Sequence, residues 1–286
     1  MTTARTADAG ALYATLSRFQ WWRSRRTRAG GEGLELRKRL LPPPSGEGPA
    51  DGAAGLDRWL FAQLAGRPVR RVLDLGCGFG ASTQRWATLG GGTAVGLTPD
   101  AFQVEKATAA ATRAGLGDRV RFVRQDFTAP RDERFDVVLA IESLGHAHDL
   151  SAALGNVHRA LVPGGTFVWV EDLLQVPVAD DADVQQLAAA WCSPPLRCVD
   201  GARQALRMAG LVVRREVDLT PQVPVAPMPQ LVVRDRRLDR VRRLFPLPPL
   251  RRLIDAFRGG YALERLYARE LACYRVCMSE RPPEAT

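Results

Sequence analysis

The sharpest chemical pattern in the chain is Val72-Leu73-Asp74-Leu75-Gly76-Cys77-Gly78-Phe79-Gly80. An apolar strand runs into a turn whose glycines can take backbone conformations that side chains disfavour and can let a ligand approach closely. The turn then opens a helix, a setting that often receives a nucleotide. The spacing is GxGxG, whereas the dinucleotide fingerprint is GxGxxG. Asp74, two residues before the first glycine, would repel a pyrophosphate. It suits a ligand with a cationic amino-acid end, met through its ammonium directly or through water. Thr98, not an acid, closes the second strand, where an NAD enzyme would usually hold its ribose.

A second group of reactive side chains follows two later strands. Ile141-Glu142-Ser143-Leu144-Gly145-His146-Ala147-His148-Asp149 carries an acid and two histidines, and Val170-Glu171-Asp172 carries two acids. A histidine oriented by a carboxylate can take a proton from a hydroxyl, because the acid fixes the ring and stabilises its cation. Glu142, Glu171 and His146 are further candidate bases, and a carboxylate with aromatic faces could stabilise a cationic intermediate.

These residues need a scaffold, and the pattern from Arg71 to Asp172 provides one. Short apolar strands are expected at 72–75, 93–97, 120–123, 135–141 and 166–170. Helices alternate with them at 82–88, 100–114 and 150–161. The alternation predicts an α/β, doubly wound fold with a parallel sheet, and such sheets bind ligands at the carboxyl ends of their strands. Residues 11–22 read as an amphipathic helix, 42–49 as a linker, and Leu56 to Leu64 as a helix entering the main domain. Beyond Asp172 a helix at 199–209, a strand at 211–219, a proline-rich loop at 221–229 and a strand at 271–278 are expected. Leu250, Leu253, Ile254 and Phe257 mark one face of another helix. The domain reading is therefore an N-terminal arm or lid with linker over 1–50, then one domain over 51–286 with a cap at about 175–265.

Residues 71–172 resemble the core of class I S-adenosylmethionine-dependent methyltransferases. That likeness implies a seven-stranded Rossmann-like sheet with the last strand antiparallel, an N-terminal helical segment and a C-terminal helical cap insertion. It also implies S-adenosyl-L-methionine as cofactor, with Asp74, Gly76, Cys77, Gly78 and Gly80 at its methionine end. Gly96-Leu97-Thr98-Pro99-Asp100-Ala101-Phe102-Gln103 is similar to the GxTxxxxQ stretch of tocopherol and sterol C-methyltransferases, cyclopropane fatty-acid synthases and some natural-product O-methyltransferases. By that likeness Thr98 and Gln103 contact the ribose, Asp126 accepts from the adenine amine, and Phe127 lies beside the ring. Residues 141–149 resemble the MESxxHxxD stretch of the same subgroup. There the acid at the place of Glu142 touches the cofactor or only shapes the loop, with catalysis a further use for Glu142, and in rebeccamycin-type sugar O-methyltransferases the counterparts of His146 and Asp172 act together. The expectation is a methyltransferase acting on a small-molecule acceptor, with C-methylation of an isoprenoid or lipid-like precursor favoured. O-methylation of a sugar or polyketide-type product, and a non-catalytic cofactor-binding protein, are the alternatives.

Composition bounds the rest. The chain has 286 residues, 46% of them hydrophobic, and a formal net charge of +9. Arginine supplies all but two of the basic residues, the exceptions being Lys38 and Lys106. The arginines cluster at Arg18–Arg39 and Arg234–Arg258. Such clusters could be solvated helix faces or could hold an anion, for example a prenyl diphosphate, and Mg2+ would then be a plausible helper. No metal-ligand spacing is visible. The five cysteines form no CxxC pair and give no disulfide framework. No signal-peptide pattern or apolar stretch of membrane-spanning length is seen, so a cytoplasmic protein is expected. Glu142-Ser143-Leu144-Gly145 stands where amino-group nucleic-acid methyltransferases carry an Asn/Asp-Pro-Pro-aromatic motif, and no Pro-Cys dipeptide occurs; no nucleic-acid partner is expected. Tyr13, Trp21 and Trp22 on the N-terminal helix could close the pocket or contact a second copy of the chain.

Overall fold

The computed structural model describes residues 2–26, 35, 37–43, 48–50, 52–64, 66–178, 180–245 and 247–283, with side chains of 2–9, 25, 26 and 53 left aside. The middle of the expected linker and of the first arginine cluster lies outside the described residues.

Seven strands form one sheet in the order β3-β2-β1-β4-β5-β7-β6. They are β1 (Arg71–Leu75), β2 (Thr93–Thr98), β3 (Val120–Arg124), β4 (Phe135–Ile141), β5 (Leu161–Leu174), β6 (Val212–Asp218) and β7 (Ala272–Glu280). The first five are mutually parallel. β7 runs antiparallel to both of its neighbours, β5 and β6, as the family resemblance implies. Parallel strands buried on both faces read as continuous apolar runs, which is why β1, β2 and β4 are legible in the chain.

Helices cover both faces of the sheet. One core packs α2 (Ala53–Ala62), α3 (Ala81–Gly90), α4 (Ala101–Arg113), α6 (Ala182–Ala190) and α9 (Pro248–Ala268) against Val72, Val137, Leu139, Val168 and Val170. The other packs α5 (Leu150–Ala160) and α7 (Val199–Met208) against Leu73, Val138, Phe167 and Trp169. Alternation along each strand separates the two sets, since successive side chains point to opposite faces.

The segment 175–265 spans α6 through most of α9. Its α7 and β6 join the sheet layers, while α6, α8 (Met228–Leu244) and α9 stand over the C-terminal end of the strands with the N-terminal α1 (Thr2–Arg26). α8 shows no apolar period, because Leu231 is its only buried residue. Ion pairs join it to α9 instead: Arg242 to Asp255 at 2.6 Å and Arg258 to Asp235 at 2.8 Å. Among the described residues no helix is long and apolar enough to cross a membrane.

Candidate active site

The strand ends, α1, α9, Glu35 and Arg37 enclose a cavity of about 400 Å³, within the usual range for small-molecule sites. Its floor is the turn after β1. Gly76, Gly78 and Gly80 all have positive φ, at 75°, 56° and 79°. A Cβ on Gly76 would stand 2.5 Å from that of Ser143, so the turn closes against the start of the loop after β4. Cys77 lines the cavity, and its backbone N–H donates to Leu97 at 2.8 Å. Burial pushes its thiol up, keeping it protonated.

Asp74 is buried beneath this turn. It accepts from the Thr83 hydroxyl at 2.6 Å, yet burial still raises its pKa to about 6. The hydroxyl of Thr98 lies 2.5 Å from Oε1 of Gln103, whose amide donates to Ser17 of α1 at 2.9 Å. This ties the helix that closes the cavity to the strand end beneath it. Phe127 is part of the wall. Asp126 lies outside it, exposed, accepting from the backbone and hydroxyl of Thr128 at 2.8 and 2.6 Å. Ser143 Oγ, Gln20 Oε1 and Asp100 Oδ2 are buried in wall residues with no protein partner. Buried polar atoms of that kind call for a ligand or water.

The reactive group sits beside the turn. Glu142 has φ 52°, unusual for a residue with a side chain. Its Oε1 accepts from the Tyr274 hydroxyl at 2.7 Å and from the Lys38 backbone at 3.0 Å. Glu171 and Asp172 are neighbours on β5, so they point to opposite faces of the sheet. Glu171 accepts from the Gly145 N–H at 2.7 Å. Its pKa is raised to about 8 by burial first and by the Asp172 charge second. Asp172 is gripped by the Lys38 ammonium and the Tyr267 hydroxyl.

His146 does not meet Asp172 in a hydrogen bond. The Tyr13 hydroxyl lies 2.8 Å from both of its ring nitrogens. Burial, then the neighbouring His148 and Arg197, lower its pKa to about 4; Asp172 opposes this and loses. His148 is exposed. The expected His–carboxylate pair is thus replaced by a Tyr13–His146 contact on one side and a Lys38–Asp172–Tyr267 contact on the other.

Lys38, Tyr267 and Tyr274 escaped sequence reasoning. They belong to a strap and two late elements that only the folded chain brings together. The strap is anchored at a second point: Asp57, fully buried, accepts from Arg37 at 2.6 Å, Arg85 at 2.6 Å and Trp86 at 3.0 Å. Among the described residues, Arg37 and Arg23 are the arginines on the cavity wall. None from Arg234 to Arg258 lines it, so the second arginine cluster does not supply a diphosphate seat there. The remaining wall is largely apolar and aromatic, from Leu12, Leu16, Phe19, Phe79, Trp191 and Phe257. Among the described residues no cluster of three His, Cys, Asp or Glu side chains is arranged to hold a metal ion.

Residues 73–169 match the family described as "Methyltransferase domain". Over 120 residues, 41% of this chain, the sequence is 37% identical to a sterol 24-C-methyltransferase of Neurospora crassa, of which the match spans 32%. The chain thus spans about a third of the length of that curated relative. The fold is similar to that of geranyl diphosphate C-methyltransferase from Streptomyces coelicolor, at TM-score 0.61 and 20% identity over 79% of this chain and 74% of that one. It is also similar to the cyclase SpnF, at TM-score 0.66 and 21% identity over 96% and 97% of the two chains.

Proposed function

We propose that this chain is a class I methyltransferase that moves a methyl group from S-adenosylmethionine to a carbon of an isoprenoid or other lipid-like acceptor. Fold alone does not decide this, since one fold hosts many chemistries. The observation that carries the reading is the single cavity that joins a carboxylate-backed glycine turn to an apolar and aromatic wall, with Glu142, Glu171 and His146 at the junction.

The residues fit the cofactor. Asp74, Gly76, Cys77, Gly78 and Gly80 form the seat for its amino-acid end, and the partnerless Ser143 Oγ beside Gly76 can serve the same end. Thr98 and Gln103 are the ribose ligands and Phe127 the adenine wall, while Asp126 stands outside the cavity. When bound, S-adenosylmethionine supplies an electrophilic methyl carbon on a sulfonium. Asp74, near its own pKa at neutral pH, ionises fully beside a cation because opposite charge favours the charged form.

The wall then aligns the acceptor. Such positioning can lower a barrier by roughly 7–11 kcal/mol in favourable cases. Trp191 and Tyr13 offer aromatic faces to positive charge on the acceptor. Glu171 takes the proton that the methylated acceptor loses. At about 8 its pKa makes it a stronger base than His146 at about 4. Positive charge arriving in the cavity pulls Glu171 toward its ionised form. Glu142, held by Tyr274 and the Lys38 backbone, keeps the loop after β4 in place.

The sequence similarity to a sterol C-methyltransferase supports carbon as the target. The sugar O-methylation reading leaned on a His146–Asp172 pair, and those two side chains have other partners. The test is mass spectrometry of reactions with methyl-labelled cofactor and a panel of isoprenoid alcohols, prenyl diphosphates, sterols and unsaturated lipids. The expected result is label on the carbon skeleton of one of these. Label appearing only on the oxygen of a sugar or polyketide acceptor would overturn the reading.

A further inference from the structure

The cavity and its surroundings use α9 but leave the outer side of α8 unexplained. Val233, Arg237, Arg240 and Leu244 recur at i, i+4, i+7 and i+11, which is one helix face, and all four are exposed. Arg234, Arg236 and Val241 flank that stripe and are exposed as well. The stripe runs into the corner between α8 and α9, where Leu244 is 74%, Phe245 51% and Leu247 63% exposed. Arg251 follows on the first turns of α9, also exposed. Arg234, Arg236, Arg237, Arg240 and Arg251 have no ion-pair partner among the described residues, whereas Arg242 and Arg258, on the inner side, are paired with aspartates.

Large apolar side chains held in water beside unpaired cations mark an interaction surface. Their mixture selects the partner. Arginine forks match phosphate oxygens, and apolar groups at a helix end insert between headgroup and acyl chain. A soluble polyanion would satisfy the arginines and leave the Leu244-Phe245-Leu247 corner in water. A second copy of this chain would set the same unpaired arginines against each other across a two-fold axis. An anionic bilayer surface covers both sets at once, and the net charge of +9 steers the chain toward it.

We propose that the α8–α9 hairpin docks this protein on an anionic lipid surface, with the Leu244-Phe245-Leu247 corner inserted and the α8 arginines on the headgroup phosphates. The same hairpin walls the cavity: Ala256 and Phe257 of α9 line it, and Phe257 meets Phe19 of α1 ring to ring at 6.2 Å. Docking therefore sets a lipid phase beside a wall of the acceptor chamber. That consequence rests on the functional reading above; the docking itself does not.

The experiment is flotation of the full chain with vesicles of phosphatidylcholine alone or with about a third phosphatidylglycerol, in the absence of cofactor and acceptor. At low salt, about tenfold more protein should float with the anionic vesicles, and raising salt should erase the difference as the Debye length shrinks. Leu244→Ser with Phe245→Ser and Leu247→Ser should lower anionic-vesicle binding about tenfold or more. Arg237→Gln with Arg240→Gln should lower it several-fold without touching the corner. Unchanged circular dichroism and an unchanged urea unfolding midpoint in both variants would show that they fold. Equal binding to both vesicle types would overturn the proposal, as would full binding by the two folded variants. So would capture by heparin but not by vesicles, or a concentration-dependent dimer that the serine variant abolishes. Because no methyl transfer is measured, failure here leaves the functional reading standing, and failure of methyl transfer leaves the docking standing.

Discussion

Lys38→Met removes the ammonium that holds Asp172 and keeps most of the side chain's length and apolar stem. Burial by itself lowers the pKa of Lys38; the charges of Asp172 and Glu142 outweigh it and raise the net value. The pair is largely buried, with side-chain exposures of 19% for Lys38 and 6% for Asp172. Removing one partner of such a pair typically costs about 3–5 kcal/mol, because the other charge is left without compensation. Partial solvent access at Lys38 and the remaining Tyr267 hydroxyl place the expected loss near the lower end, about 3 kcal/mol. That is a large part of an ordinary domain's roughly 5–15 kcal/mol, so the variant stays folded but is clearly weakened. Adding Asp172→Asn removes the stranded charge, and the double variant should recover about 2 kcal/mol of coupling. Urea unfolding of wild type, both single variants and the double variant measures all four corners. The strap also carries Glu35 and Arg37 into the cavity wall, so cofactor affinity should fall in Lys38→Met and return in part in the double variant. A loss below about 0.5 kcal/mol, or simple additivity of the two changes, would refute the view that this pair latches the strap.

Three other perturbations probe separate parts of the site. Glu171 titrates at about 8 when folded and near 4.3 when unfolded, so the folded chain keeps a proton that the unfolded chain loses, and its burial erodes stability as pH rises between those values. Glu171→Gln still accepts from Gly145 and escapes this penalty; unfolding titrations should find it more stable by up to about 3 kcal/mol at pH 7 and little different at pH 4, and it should lose turnover. His146→Ala should lower turnover more than cofactor affinity, as read by steady-state kinetics beside calorimetry, because His146 lines the acceptor side and is not part of the glycine turn. Gly76→Ala places a side chain at φ 75° and 2.5 Å from Ser143; an unfolding curve should show a loss of about 2–4 kcal/mol, part of it returned by Ser143→Gly.

The sheet was legible because its central strands are buried on both faces and leave unbroken apolar runs between turn residues. The glycine turn at the cavity floor was legible because its glycines, acid and strand are contiguous. The other half of the site was not, because its contacts join residues more than 130 positions apart: Tyr13 with His146, Lys38 with Asp172, Tyr274 with Glu142. Tyr274 pairs opposite Asp172 only once β7 is set against β5 in its observed register. Lys38 did leave a trace, being one of two lysines in a chain that otherwise uses arginine. The reading of Asp172 as the partner of His146 overlooked strand alternation, which sends Glu171 and Asp172 to opposite faces. α8 was legible only as an arginine-rich solvated helix face and without bounds, because its inner face is held by aspartate–arginine pairs, which carry no apolar period.

The account turns on whether the cavity above Asp74 takes S-adenosylmethionine. Titration calorimetry of the pure chain across pH 5 to 8 measures this directly. The account predicts saturable one-to-one binding that tightens with pH up to about 6, where Asp74 becomes ionised, then levels; Asp74→Asn should be about tenfold or more weaker and flat in pH. Folded protein that takes up neither S-adenosylmethionine nor its demethylated product at any pH, or an Asp74→Asn variant that binds as wild type does, would contradict it.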